Sequence, residues 1–80
     1  MAARITVRYW AGAKRAAGVE REAVDASSIG ELRAVLAGRP ALAALSAAAS
    51  FLVDGRRSDD ATPLVDGAEV DVLPPFAGGC

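Results

Sequence analysis

A turn, a strand and a stop signal follow one another in the stretch Asp66-Gly67-Ala68-Glu69-Val70-Asp71-Val72-Leu73-Pro74-Pro75. The Asp-Gly pair favours a tight turn, and Val70 and Val72 alternate with acidic residues as in a half-buried strand. Pro74 and Pro75 remove two consecutive backbone donors, so the strand should end at about Leu73. We therefore predict a folded domain over residues 1–75.

The residues that follow have the composition of an extended tail, Phe76-Ala77-Gly78-Gly79-Cys80. Ala77, Gly78 and Gly79 offer almost no side chain to pack, so residues 76–80 are predicted to be flexible in the free protein. About seven residues after the strand can reach ~20 Å when extended, which is long enough to enter another protein's active site. A frayed terminus could also end in Gly-Gly, but the stiff Pro-Pro exit and the anchoring Phe76 favour a working tail.

Composition argues against catalysis by the chain itself. The 80 residues carry a formal net charge of −1, with no histidine and one cysteine. Without histidine there is no Ser-His or Cys-His pair, and one cysteine supports neither an intrachain disulfide nor a cysteine-ligated metal centre. The adjacent Asp59 and Asp60 are typical of a solvated loop. We therefore expect a protein that is not an enzyme, with no metal and no bound cofactor.

The same composition limits the partners and the location of the protein. Lys and Arg residues form no stripe, so nothing indicates binding to nucleic acid. No apolar run approaches the ~20 residues that a membrane-spanning helix needs, and no charged and then apolar leader is present. We expect a cytoplasmic protein with no membrane contact.

The first third of the chain predicts two strands joined by a short helical segment. Ile5, Val7 and Tyr9 alternate with polar residues, which indicates a strand with one buried face. The alanine-rich residues 11–17 suit a helical turn that closes at Gly18. Residues 19–25 alternate poorly and predict a polar edge strand paired with the first.

The middle of the chain contains the strongest helix signal. Ser28 and Glu31 form a capping box, in which the Ser28 hydroxyl accepts from the Glu31 amide while the Glu31 side chain reaches back. An apolar face at helical spacing follows, made of Ile29, Leu32, Val35 and Leu36, and Gly38 is a stop signal. Residues 40–49 predict a connector, either a short helix or a helical turn.

The remaining segment predicts a short buried strand, Phe51-Leu52-Val53, and a tight turn at Asp54-Gly55. Residues 56–62 are polar, and we expect them to be irregular. The predicted order is strand, strand, helix, strand, strand, with the last strand central. This is the pattern of an α+β fold of the β-grasp type, in which one main helix crosses one face of a mixed sheet.

The whole chain resembles the ubiquitin-like sulfur-carrier family, which includes the small subunit of molybdopterin synthase (MoaD) and its thiamine-pathway relative (ThiS). The resemblance rests on the opening strand, the segment closing at Gly18, the capped helix, and above all the residues from Leu64 to Gly79. A Gly-Gly pair alone is weak evidence. An Asp-Gly turn, a strand, Pro-Pro and Gly-Gly at this spacing are strong evidence, and Pro-Pro is more similar to MoaD than to ThiS.

The resemblance implies a carrier whose partners perform the catalysis. A ubiquitin-activating-type adenylating and sulfurtransferase enzyme would use ATP to adenylate the Gly79 carboxylate, which becomes a thiocarboxylate after sulfur transfer. The sulfur then goes to an acceptor enzyme: a molybdopterin synthase large subunit, a cysteine-synthase-like enzyme or a thiazole-synthase-like enzyme. Gly78 would let the tail pass through the partner's channel, and the segment Pro74, Pro75, Phe76 and Ala77 would contact the partner.

Cys80 departs from this family pattern, because its amide bond to Gly79 leaves Gly79 without a free carboxylate. Cys80 could be removed from a precursor by a JAMM-type metalloprotease, or it could be an added handle. Alternatively, it could record an adduct, formed when a thioester to an alanyl acceptor rearranges from sulfur to nitrogen. A catalytic thiol is the weakest interpretation, since a terminal cysteine in a flexible tail is expected to lack the neighbouring base or helix terminus that activates a thiol. A function of another class also remains open: a non-catalytic β-grasp binding module with a disordered tail.

Overall fold

The computed structural model of the protein describes residues 2–74. The elements follow in the order β1 (Ala3–Tyr9), α1 (Gly12–Ala17), β2 (Arg21–Ala26), α2 (Ile29–Ala37), α3 (Ala43–Ala48), β3 (Ser50–Val53), β4 (Arg56–Ser58) and β5 (Glu69–Leu73). The predicted domain boundary at residue 75 and the predicted flexibility of residues 76–80 fall outside the described residues. Both stay predictions.

The described strands form one mixed sheet in the order β2-β1-β5-β3-β4. Strand β5 runs parallel to β1, with Tyr9 opposite Val72, and antiparallel to β3, with Phe51 opposite Val72. The other neighbouring strands are also antiparallel. The last strand of the described chain is therefore central, as predicted, and the architecture is the β-grasp fold.

One face of the sheet packs on the helices to form the core. Ile5, Val7 and Tyr9 of β1 are each at most 2% exposed, which confirms the alternation expected from the sequence. Leu32 and Leu36 of α2 are fully buried in the same cluster. The polar positions of β1 and β5 consequently point to the opposite face of the sheet.

Helix α2 begins as predicted but differs in two details. The Glu31 amide donates to Ser28 Oγ at 3.1 Å, which is the expected N-cap. The Glu31 carboxylate accepts from the backbone amide of Ser27 at 2.9 Å, one residue before the position that a capping box predicts. The assignment of Val35 to the buried face is wrong: Val35 is 37% exposed, because a helix of nine residues buries only a narrow stripe.

The turn at Asp54-Gly55 is followed by a strand that the sequence analysis missed. Asp54 and Gly55 have φ values of 48° and 85°, the left-handed conformations of a tight hairpin turn. Residues 56–62 were expected to be irregular, whereas Arg56–Ser58 pairs with β3. Strand β4 lies at the sheet edge and buries no side chain fully, so no apolar alternation reveals it.

The connector over residues 40–49 contains the short helix α3. Leu42 is buried ahead of it, and Arg33 of α2 holds its far end. The Arg33 Nη1 atom donates to the carbonyls of Ser46 at 2.6 Å and of Ala49 at 3.3 Å, which would otherwise lack partners at a helix end. None of the helices within residues 2–74 is long and apolar enough to cross a membrane.

Candidate functional site

Strand β5 delivers the chain to the tail from the middle of the sheet. Its last residue, Leu73, pairs with Ser50 of β3, and on the other side the Trp10 amide donates to the Val72 carbonyl at 3.2 Å. Pro74 follows directly and is partly buried. The sheet therefore ends where the sequence predicted. The other predicted site residues lie outside the described residues: Pro75, Phe76, Ala77, Gly78, Gly79 and Cys80.

A charged network lies on the face of β5 that is turned away from the helices. The Asp71 carboxylate accepts from Arg8 through Nε at 2.7 Å and through Nη2 at 3.1 Å. The Trp10 indole Nε1 donates to the same carboxylate at 3.1 Å. Asp71 as a whole residue is only 8% exposed, because Arg8 and Trp10 cover it. The network ties the end of β1 to the central strand just before the tail begins.

The environment of Asp71 favours its charged form. Burial alone would raise the pKa of this carboxyl. Hydrogen bonds from Arg8 and Trp10, together with the positive charge of Arg8, outweigh burial and lower the pKa below its ordinary value of 3.8. The carboxylate is therefore ionised at neutral pH, and it holds two donors in fixed positions.

Replacement of Asp71 by Asn should reduce stability in a pH-dependent manner. A carboxylate with a lowered pKa stabilises the folded state above its ordinary pKa, and this contribution is lost as the pH falls through the folded-state value. We expect the unfolding free energy of Asp71→Asn to be about 1 kcal/mol lower at pH 7, the usual size for such hydrogen bonds. The deficit should shrink below a pH of about 3.8. Urea titrations at several pH values measure it.

Asp25→Asn is the matched control, because its ion pair with Arg4 is highly exposed, with side-chain exposures of 59% and 70%. That substitution should change the unfolding free energy by less than about 0.5 kcal/mol. If the deficit of Asp71→Asn were the same at acidic and neutral pH, the charge of Asp71 would not be its source.

The backbone between β1 and α1 places Trp10 beside β5. Ala11 has φ 49° and ψ −124°, a left-handed conformation that favours glycine and costs a residue with a Cβ of order 1–3 kcal/mol. The Trp10 carbonyl accepts from the Ala13 amide at 2.9 Å, which closes the turn into α1. The turn keeps the Trp10 ring on the sheet face, where it remains 47% exposed.

A basic cleft of about 490 Å³ opens beside this turn. Its charged lining contains four cations and one carboxylate, and its other walls come from the β1 end. The complete lining is Arg8, Tyr9, Trp10, Ala11, Lys14, Arg15, Glu20 and Arg21. Because β1 and β5 are parallel and end together, the basic cleft lies at the same end of the sheet as Leu73. The protein thus presents positive charge next to the base of its tail.

A second polar cluster fixes the opposite face of the same sheet end. The Tyr9 hydroxyl donates to Glu22 Oε2 at 2.5 Å, and Arg39 also donates to this carboxylate. Burial is the main cause that raises the pKa of Tyr9, and the hydrogen bond to Glu22 raises it further. The hydrogen bond from Arg39 lowers the pKa of Glu22. This cluster joins the chain after α2 to β2 and completes the support of the β1 end.

Sequence reasoning found the strand and missed the network. Arg8 and Asp71 were recognised as polar positions on two strands, but their contact depends on the parallel register between β1 and β5. Had this register been known, it would have placed Arg8 opposite Asp71 and near Trp10, and so indicated a bidentate arginine–carboxylate pair. Among residues 2–74, no group of three His, Cys, Asp or Glu side chains could hold a metal ion. Asp59 and Asp60 are exposed, as expected of a solvated loop, and Asp60 also pairs with Arg33 at 2.9 Å.

Comparison with known proteins agrees with this architecture. Residues 7–79 match the ThiS family. A putative molybdopterin converting factor subunit 1 from Pyrococcus furiosus has a TM-score of 0.82 at 22% identity, covering 92% of this chain and 99% of its own. Small archaeal modifier protein 1 from Methanosarcina acetivorans has a TM-score of 0.81 at 21% identity, covering 99% of both chains.

A third structure is a protein–protein complex. It contains subunits 1 and 2 of the molybdopterin-converting factor from Helicobacter pylori 26695, and it matches with a TM-score of 0.74 at 27% identity. The match covers 91% of this chain and 95% of that one. No match to the chain was found among curated proteins.

Proposed function

The chain belongs to the ThiS family, and we propose that it is a sulfur carrier protein whose Gly79 carboxylate is activated and converted to a thiocarboxylate. A ubiquitin-activating-type partner supplies the catalysis and uses ATP. The carboxylate attacks the α-phosphorus of ATP and releases pyrophosphate. An incoming sulfur nucleophile then displaces AMP from the acyl carbon, because the mixed anhydride provides a good leaving group.

The observation that carries the proposal is the position of the family match relative to the fold. The match runs through Gly79, and the described strand β5 leads to it from the centre of the sheet. Leu73 ends that strand and Pro74 follows, so in the sequence the residues up to Gly79 come directly after a central strand. A folded domain that ends in a short terminal segment suits a carrier, because the domain can dock while its end reaches into the partner.

Cys80 lies just beyond the family match, which supports a requirement for its removal. In this proposal a metalloprotease of the JAMM type cleaves the Gly79–Cys80 bond before activation. An adduct at Gly79 is the alternative source of the same bond, and it would be a product of sulfur transfer. The two differ in whether the 80-residue chain appears before or after the thiocarboxylate.

The acceptor that we propose first is an enzyme like the large subunit of molybdopterin synthase. The Helicobacter pylori structure is a complex of subunits 1 and 2 of the molybdopterin-converting factor, and a chain of that complex matches this one. The Pro74-Pro75 pair, which is more similar to MoaD than to ThiS, favours the same acceptor. Cysteine-synthase-like and thiazole-synthase-like enzymes are the other acceptors to be compared.

Mass spectrometry of the intact protein tests the proposal. The chain ending at Gly79 is incubated with ATP, an activating enzyme and a sulfur source. We expect the mass gain that corresponds to exchange of one carboxylate oxygen for sulfur, and its loss when ATP is omitted. An unchanged mass under conditions that convert an established carrier would refute the proposal and favour a binding module.

Attachment to proteins is a second candidate function, favoured by the match to a small archaeal modifier protein. In that case the activated Gly79 carbonyl would be captured by an amine of another protein instead of by sulfur. The same experiment separates the two functions when a protein acceptor is added. Adducts of higher mass, without a thiocarboxylate, would identify a modifier.

A further inference from the structure

We propose that the basic cleft, extended along α1 towards Val19, docks an acidic segment of the activating enzyme that receives the tail. The inference rests on the proposed function and adds the chemistry of the partner surface.

Two cations of the cleft are available to a partner. Arg8 is engaged by Asp71, and Lys14 pairs with Glu20 at 3.6 Å. Arg15 and Arg21 form no ion pair with any residue between 2 and 74, and both are exposed. Two exposed guanidinium groups can each bind a carboxylate in the bidentate manner that arginine favours.

The shape of the cleft favours an extended ligand over a compact one. A second depression of about 280 Å³ adjoins the basic cleft and shares Lys14, Arg15 and Glu20 with it. The two therefore form one trough along α1, which ends beside Gly18 and Val19. A peptide segment fills such a trough along its length, whereas a phosphate group or a nucleotide would occupy only part of it.

Apolar side chains are exposed at both ends of this trough. Trp10 is 47% exposed at one end, and Val19 is 45% exposed at the other. Aromatic residues and arginines together are typical of the energetically dominant part of protein interfaces. The partner segment that fits this trough thus has carboxylates in its centre and, at its two ends, apolar residues that contact Trp10 and Val19.

The contrast in local charge between the two ends of the sheet supports an acidic partner at the cleft. Three carboxylates lie at the other end of β1 and β5, together with the cations Arg4 and Arg56. Asp66 accepts from the Arg4 amide and Asp54 from the Glu69 amide, and Asp25 stands opposite Arg4. The charges there are mixed, whereas four cations and one carboxylate line the cleft of a chain whose net charge is only −1. An acidic surface would therefore be steered towards the cleft.

Proximity links the trough to the tail. The Trp10 amide is bonded to the Val72 carbonyl, two residues before Pro74. A partner that binds the tail close to its base must cover the residues beside Trp10. The acidic segment therefore lies next to the tail channel of the partner.

Fluorescence of Trp10 tests the docking directly, because it is the chain's single tryptophan. The full 80-residue chain is titrated with a synthetic peptide of glutamate and leucine, and in parallel with a peptide in which glutamine replaces glutamate. We expect a saturable change with the acidic peptide alone, which weakens as salt is added. The double variant Arg15→Glu, Arg21→Glu should bind about tenfold more weakly or worse, since two ion pairs are replaced by repulsion.

The double variant Arg56→Glu, Arg57→Glu is the matched control. It makes the same change of charge on exposed residues of β4, away from the cleft, and should bind the acidic peptide as the unmodified chain does. Equal binding of the glutamine peptide, or unchanged binding by the cleft variant, would overturn the inference. A response to ATP or inorganic phosphate without a response to the acidic peptide would also overturn it and identify a small-anion site.

A second measurement separates this inference from the proposed function. The cleft variant, ended at Gly79, should show a raised KM for its activating enzyme with kcat largely retained, because docking is weakened while the tail is intact. If the unmodified Gly79-ended chain is activated and the cleft variant has the same KM, the inference fails and the function stands. If no chain is activated but the acidic peptide still binds at the cleft, the function fails and the docking surface stands.

Discussion

Only the chain that ends at Gly79 should support ATP–pyrophosphate exchange on its activating enzyme, and the 80-residue form should be silent until Cys80 is removed. Exchange requires a free carboxylate that can attack ATP, and in the 80-residue chain the Gly79 carbonyl is part of an amide. We expect a difference of at least about a hundredfold, since loss of the reacting group removes the step itself. Radiolabelled pyrophosphate incorporation into ATP measures it.

Two substitutions serve as controls for this experiment. Gly79→Ala in the shortened chain should react much more slowly, because an added Cβ would crowd a tail threaded through a narrow channel. Cys80→Ser in the longer chain should leave a protease-processed precursor able to function, which tests whether the thiol matters. Exchange by the intact 80-residue chain at the rate of the shortened one would place activation at Cys80. The mechanism proposed for Gly79 would then be wrong for this protein.

Local sequence signals predicted the elements that are defined by their own residues. The alternation of Ile5, Val7 and Tyr9 identified β1 and its buried face, and Ser28 identified the start of α2. Gly18 and the Asp54-Gly55 pair identified turns, because each adopts a positive φ that most residues avoid. In each case the signal lies within a few residues of the feature it predicts.

Features that depend on distant pairing were not predictable in the same way. Strand β4 exists because the Asp54-Gly55 turn returns Arg56–Ser58 to β3, and it carries no buried alternation of its own. Asp71 is a polar position that the strand pattern assigns to solvent. It is buried because Arg8 and Trp10, more than sixty residues earlier in the sequence, cover it. Its environment becomes visible only when the parallel register is known.

The two parts of the candidate site, the tail and the basic cleft, also differ in whether local sequence predicts them. The tail was predicted from composition, and its residues from Pro75 onward stay predictions. The basic cleft was not predicted, since Arg8, Lys14, Arg15 and Arg21 form no stripe in the sequence. They converge because β1, α1 and β2 meet at one end of the sheet. Absence of a linear basic motif therefore does not exclude a local basic surface.

Replacement of Leu36 by Ala should reduce the unfolding free energy by ~2–5 kcal/mol, because Leu36 is fully buried between α2 and the sheet and its removal leaves a cavity. A domain of this length is expected to have a total stability of roughly 4–12 kcal/mol, so the variant could lose half of its stability. Urea unfolding followed by far-UV circular dichroism measures the change.

Val35→Ala is the matched control on the same helix, since Val35 is 37% exposed. It should cost less than about 1 kcal/mol, because little apolar area returns to water.

Where both variants are folded, the activation kinetics of their Gly79-ended chains should match those of the unmodified one, because α2 packs on the face of the sheet opposite to Arg8 and Asp71. A loss below ~1 kcal/mol for Leu36→Ala would show that the core does not depend on this face of α2. Impaired activation of a fully folded Leu36→Ala chain would instead show that the helix layer takes part in docking, and the separation between the core and the tail-bearing face would fail.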